Sequence, residues 1–201
     1  MPDPHPEPAA ATRPRRADAQ RSIERIIDAA VDCLSVNPEA SMVDIARRAG
    51  VVRATIYVHF PTRESLIEAV TAHAISEATK VIDMADPDAG APVDALRRVL
   101  SATWRTLGRY HALVAINTRL SHEELHQRHA SVLGRLEPLI VRGQKAGVFR
   151  SGVPVSWHLA TMLALIHGAS AELSAGRIGD DEVEAALVDT VVGAVAATGA
   201  S

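Results

Sequence analysis

The stretch Ser41-Met-Val-Asp-Ile-Ala-Arg-Arg-Ala-Gly-Val-Val-Arg-Ala-Thr-Ile-Tyr-Val-His-Phe-Pro-Thr-Arg-Glu-Ser-Leu66 decides the fold. Ser41 is a favoured helix N-cap, and Asp44 three residues on completes a capping-box-like pair. Ile45 and Ala49 lie one turn apart on a single face. Gly50 then supplies the left-handed backbone that a sharp turn needs. A second short helix is predicted from about Val52 to Phe60, with Ile56 and Phe60 turned inward. Pro61 stops it, because proline disfavours helical geometry in the residue before it. Thr62 caps a further helix that carries Glu64 in its first turn, where the helix dipole favours an anion. Two short helices joined by a glycine-containing turn form a helix-turn-helix, whose second helix has the dimensions to enter the DNA major groove.

The spacing turns Arg53, Thr55, Tyr57 and His59 of that second helix outward. Arginine pairs two ways with guanine and threonine bonds a base or a phosphate, while tyrosine and histidine suit phosphate oxygens. The runs Ile45-Ala46, Ala49-Gly50-Val51, Thr55-Ile56-Tyr57-x-His59-Phe60 and Arg63-Glu64-x-Leu66 resemble the DNA-binding domain of the TetR/AcrR family of bacterial repressors over residues 20–70. Three positions depart from that pattern. Val52 stands where the family usually has serine and so removes a phosphate contact, Ala54 where it often has glycine or proline, and Arg63 where it usually has lysine. The candidate DNA-binding set is Ser41, Arg53, Ala54, Thr55, Tyr57, His59 and Arg63. A plain helical hairpin is the competing reading, with Tyr57 half in the core, His59 a helix-terminal cation, and Arg47 and Arg48 a solvated face.

The charge distribution fits that assignment better than the total does. The net charge is −3, yet from Arg13 to Arg63 the chain carries 9 arginines against 6 acids, and from Ser76 onward 12 basic against 14 acidic residues. A mildly basic head thus precedes a slightly acidic body. Aromatic residues make up only 3%, so the core must be built from Ala, Val, Leu and Ile. The single Cys33 excludes an intrachain disulfide, and a buried inert thiol is its default reading. No apolar run suits a bilayer and no secretory leader is evident, so a cytoplasmic protein without membrane contact is expected.

The predicted fold is all-α, with about nine helices and no strand pattern. Residues 1–16, rich in proline, are expected to be a disordered arm, residues 17–63 the helix-turn-helix domain, residues 64–84 a connecting helix, and residues 85–201 a second helical domain. The first helix is expected from about Asp18, with Ile23, Ile26, Ile27, Ala30 and Leu34 as its stripe. Leu66, Ile67, Val70, Ala74, Ala78 and Val81 line the connecting helix. Further helices are expected over about 92–107, 110–120, 121–146 with a kink at Pro138, 155–175, and 181–197 capped by Asp180.

The last two helices combine small residues (Ala160, Ala164, Gly168, Ala171) beside Trp157 with β-branched Val188, Val191, Val192 and Val195. Two such helices from each of two subunits would make a four-helix interface. The family resemblance implies the same homodimer, and a pocket among the middle helices for a small, largely apolar effector. Candidate lining residues are Trp104, Leu107, His111, Ile116, Asn117, Leu120, Met162, Leu163, Ile166 and His167, each of which plain core packing would also explain. His122, His126 and His129 share one helical face, where a solvated surface competes with a metal or pH sensor. No nucleophile elbow, phosphate loop or paired carboxylate is present, so no enzyme, catalytic residue, metal or cofactor is expected. The reading that results is a ligand-responsive repressor on palindromic double-stranded operator DNA. Its alternative is a helical enzyme, or a metal or pH sensor, that uses the histidine-rich body.

Overall fold

The computed structural model describes residues 12–110 and 122–197. Among them the chain is helical, in the order α1 (Thr12–Val36), α2 (Met42–Arg48), α3 (Arg53–His59), α4 (Arg63–Met84), α5 (Pro92–Leu107), a 3-10 turn (Gly108–Tyr110), α6 (His122–Arg128), α7 (Ala130–Lys145), α8 (Val155–Ser174) and α9 (Asp180–Val195). No helix among the described residues is long and apolar enough to cross a membrane. The chain divides into two compact units, Met1–Val70 and Thr71–Ser201, with the division inside α4.

In the first unit α2 packs on α1 and α3 packs on α2. The three-four stripe of α1 buries Ile26, Ala30 and Leu34, and Ile45, Ile56, Phe60 and Leu66 are buried in the same unit. Helix α1 starts at Thr12, six residues before the start expected at Asp18. Arg13, Arg15 and Arg16, expected in the arm, are therefore helical. Alanine and arginine favour the helix without any buried face to mark it in the sequence. Residues 1–11, the rest of the expected arm, lie outside the described residues.

In the second unit one core joins Ile82 of α4, Leu96, Val99, Leu100 and Trp104 of α5, Leu136, Leu139 and Ile140 of α7, Met162 of α8, and Val188, Val191 and Val195 of α9. Ile82, not Val81, is the fully buried residue near the end of α4. The loop from Ala85 to Gly90 is held by its own carbonyls. Arg98 donates to those of Ala85, Asp86 and Ala89 (2.6, 2.6 and 3.0 Å), and Arg142 to those of Pro87 and Gly90 (2.7 and 2.6 Å). The end of α9 clasps the loop that follows α7. Arg150 N donates to Val195 O, Ala197 N donates to Val148 O, each at 3.0 Å, and Phe149 and Ala196 form an antiparallel bridge.

Three expectations change here. The helix expected over 121–146 is broken at His129, not at Pro138, which lies inside α7. The His129 ring approaches the Leu125 carbonyl at 2.9 Å, the same acceptor its own backbone N–H reaches at 3.2 Å. The side chain thus competes for the helical ladder. The clash expected from Pro138 falls on the carbonyl of Gly134, a residue with no side chain to hinder adjustment. Gly179, not Asp180, is the N-cap of α9. The helix expected over 110–120 lies outside the described residues apart from Tyr110.

Candidate DNA-reading helix and effector-side histidines

The turn before α3 is built from local chemistry. Ser41 Oγ accepts from Asp44 N at 3.2 Å and donates to Asp44 Oδ2 at 2.6 Å, and Ser41 N donates back to the same carboxylate at 3.3 Å. Ser41's hydrogen bonds hold Asp44's carboxyl below the usual range. At the other end of α2, Gly50 takes φ +66°, Gly50 N donates to Arg47 O at 3.2 Å, and Val51 N donates to Ala46 O at 3.0 Å. These two bonds close a Schellman turn and aim α3 away from α2. Val52 then caps α3 with no side-chain hydrogen bond and is 70% exposed. Phe60 leaves the helix before Pro61, and Thr62 and Ser65 cap α4 reciprocally, Ser65 N donating to Thr62 Oγ1 at 3.1 Å.

On α3, Ile56 is fully buried and Val58, two residues or about 200° further round, is 76% exposed. Arg53, Ala54 and Tyr57 are exposed with it, while Thr55 and His59 are half-buried at its other margin. The Arg53 guanidinium lies 5.6 Å from the Tyr57 ring centroid, which holds the cation against the ring beside that face. Arg63 is placed differently from the rest. It is half-buried and donates to the Pro38 carbonyl, tying α4 to the turn between α1 and α2. Arg47 and Arg48 pair with Asp44 and Asp32 at 3.0 and 3.1 Å on the surface, where such pairs hold weakly. Val58 is not among the sequence-based candidates, which apart from Ala54 are polar. Its signal was the helical angle from Ile56.

The expected effector residues divide. Trp104 and Met162 are buried in the second unit's core, Leu163 is nearly so, and Ile166 packs against that core. The side chain of Leu107 and the residues His111, Ile116, Asn117 and Leu120 lie outside what is described. His167 is half-buried against His129, ring centroids 5.2 Å apart. Because a carbonyl only accepts, His129 Nδ1 donates to Leu125 O, which leaves its Nε2 without a proton in the neutral ring. Burial pushes both imidazoles below their ordinary value, His167 to about 4. His129 thus faces α8, while His126 is exposed, and no group of three His, Cys, Asp or Glu suited to a metal occurs among the described residues. Val188, Val191, Val192 and Val195, expected at a subunit interface, are buried within the chain itself. The 3.6-residue period places them on the core face of α9. Exposed on α9 are Asp181, Glu182, Ala185, Ala186, Asp189, Thr190 and Gly193, and on α8 Ser156, Trp157, Ala160, Ala164, Gly168, Glu172 and Ser174.

A capped helix, a Schellman turn and an outward-facing α3 define a helix-turn-helix protein, here followed by an all-helical second unit. Residues 26–70 match the family described as bacterial regulatory proteins, tetR family. The helix-turn-helix of this chain is thus similar to that of this family. The chain is 40% identical over 103 residues to the HTH-type transcriptional repressor LfrR of Mycolicibacterium smegmatis, a match covering 51% of this chain. That match spans 50% of the relative's length. The fold is similar to that of LfrR from Mycobacterium smegmatis in complex with proflavine, with TM-score 0.66 and 24% identity, covering 89% of this chain and 98% of the other. It is also similar to a TetR transcription regulatory protein from Mycobacterium vanbaalenii, with TM-score 0.60 and 26% identity, covering 91% and 99%.

Proposed function

We propose that this chain is a ligand-responsive regulator of transcription, a repressor that leaves a palindromic operator when a small, largely apolar molecule binds its second unit. The observation that carries the reading is the outward face of α3, with Arg53 over Tyr57 on a helix aimed outward by its own turn. One helix of seven residues makes too few base contacts for useful specificity. Two copies about one DNA turn apart suffice, so the protein acts as a homodimer. The outer faces of α8 and α9, lined by Ala160, Ala164, Gly168 and Ala186, are the surfaces that join two subunits. Small side chains there let helices approach closely.

The effector reaches the DNA through α4, the helix shared by both units. A ligand can shift the operator equilibrium only by the difference in its affinity for the two states, typically a few kcal/mol. Ser41 and Arg63 act by holding α2 and α4 in place, while Arg53, Ala54, Thr55, Tyr57 and His59 meet the DNA. Selection of duplexes from a random pool, followed by mobility shift with Arg53→Ala, tests the reading. Binding is expected to weaken and the preference for guanine at one position to be lost in the variant, and unchanged specificity would reject α3 as the reader. Proflavine, present in the similar LfrR structure, is the first effector probe. Release of the selected duplex on its addition is the expected result.

A further inference from the structure

The outward face of α3 carries exposed apolar side chains. Val58 is 76% exposed and Val52, at the start of the same helix, 70%, with Ala54 exposed one turn before Val58. Buried Ile56 shows where the core lies. Val58 stands about 200° from it and thus at the centre of the outward face, with Arg53 and Tyr57 on one flank and Thr55 and His59 on the other. Ala54 and Val58, one turn apart, form a short apolar strip between those polar flanks.

Charge identifies the occupant. Between Asp44 and Glu64 the chain has four arginines and no acid; Arg47 and Arg48 pair with Asp44 and Asp32 and Arg63 is tied to Pro38, so the exposed Arg53 is the cation beside this apolar centre and suits a polyanion. In the DNA major groove, the one apolar group on a base edge is the thymine methyl, and alanine-like and valine-like side chains meet it by contact. We propose that Val58, with Ala54, reads thymine methyl groups in each operator half-site, next to the guanine taken by Arg53. Val58 is thereby a specificity-determining residue. The inference rests on α3 being the DNA-reading helix.

Deoxyuridine in place of thymidine removes that methyl and leaves base pairing intact. A duplex is first selected from a random pool with the full chain, then remade with deoxyuridine at each half-site thymine in turn. At one position, affinity is expected to fall about fourfold per half-site, the free energy of one buried methyl group. Val58→Ala is expected to lose about as much on the thymine duplex and to be indifferent to the deoxyuridine change. An unaltered helical spectrum and melting temperature establish that the variant is folded. A selected duplex that binds equally with thymidine and deoxyuridine overturns the inference and leaves DNA reading by α3 standing. So does a Val58→Ala variant equally weakened on both duplexes. If no sequence is enriched at all, the reading of α3 falls first, and this inference with it.

Discussion

His129, at the break between α6 and α7, meets His167 of α8 edge to face, with ring centroids 5.2 Å apart and planes at 75°. Burial comes first among the causes that depress both imidazoles; His129 further disfavours a charge on His167, and Arg128 and His126 one on His129. The folded pKa of His167, about 4, lies below its ordinary 6.5, so the folded state binds fewer protons than the unfolded one. Stability from the neutral pair is whole above pH 6.5 and is lost as pH falls toward 4. Thermal melts across that window are expected to fall more steeply for the wild type than for His167→Gln. The paired carboxylates Glu77, Glu172 and Glu184 also lose stability in acid, but equally in both proteins. Parallel curves would show that the pair does not titrate in this way.

Gly143 of α7 faces the Phe149 ring so closely that a Cβ there would lie 1.9 Å from a ring carbon. Phe149 is 1% exposed and bridged to Ala196, so neither side can retreat. Gly143→Ala is expected to lower stability by about 1–3 kcal/mol, or more, through overpacking. A urea titration followed by helical signal measures it. A neutral outcome would mean that the C-terminal clasp yields more easily than its hydrogen bonds imply.

Arg98 and Arg142 together donate five hydrogen bonds to carbonyls of the Ala85–Gly90 loop. Each alanine variant is expected to cost about 1.5–3 kcal/mol, since hydrogen bonds from a charged donor exceed neutral ones. The two share one loop, so the double variant is expected to cost less than the sum. Chemical denaturation of the four proteins completes the cycle, and strict additivity would show that the arginines hold the loop independently.

Arg53 and Arg63 should behave unlike each other. Arg53→Ala is expected to weaken binding to a selected duplex by about 1–3 kcal/mol and to relax the preference for guanine at one position. The melting temperature should hardly change, since Arg53 is exposed. Arg63→Ala frees the Pro38 carbonyl and is expected to destabilise the first unit by about 1 kcal/mol. Its DNA affinity should fall without a change of base preference. Altered base preference in Arg63→Ala would return that residue to the reading face.

Tyr57→Phe separates stacking from hydrogen bonding. The ring that holds the Arg53 cation remains, and the hydroxyl goes. Base preference should survive, while affinity drops by the loss of one phosphate contact and its salt dependence barely moves. A lost guanine preference would mean that the hydroxyl, not the ring, positions Arg53.

The helix-turn-helix was legible in the sequence because its signals are local. Ser41 and Asp44, Gly50, Pro61 and Thr62 each act on backbone within a turn of themselves, and each does so here. The inward residues Ile45, Ile56 and Phe60 followed from helical spacing. The exposure of Val58 follows from its angle from Ile56, not from its apolar character. The break at His129 was missed because it depends on which carbonyl an imidazole reaches.

By itself, the sequence determined an all-α chain with a helix-turn-helix near its start and a basic surface around it. Periodicity, caps and breakers act over a few residues, and composition needs no fold. Only the tertiary structure decided that the four valines of α9 face their own core, that Arg63 is partly committed to Pro38, and that His129 meets His167 rather than a third ligand on its own helix. Those outcomes depend on which distant segment covers a given face. An apolar stripe states that it must be covered, but its partner is set by packing between elements far apart in the chain.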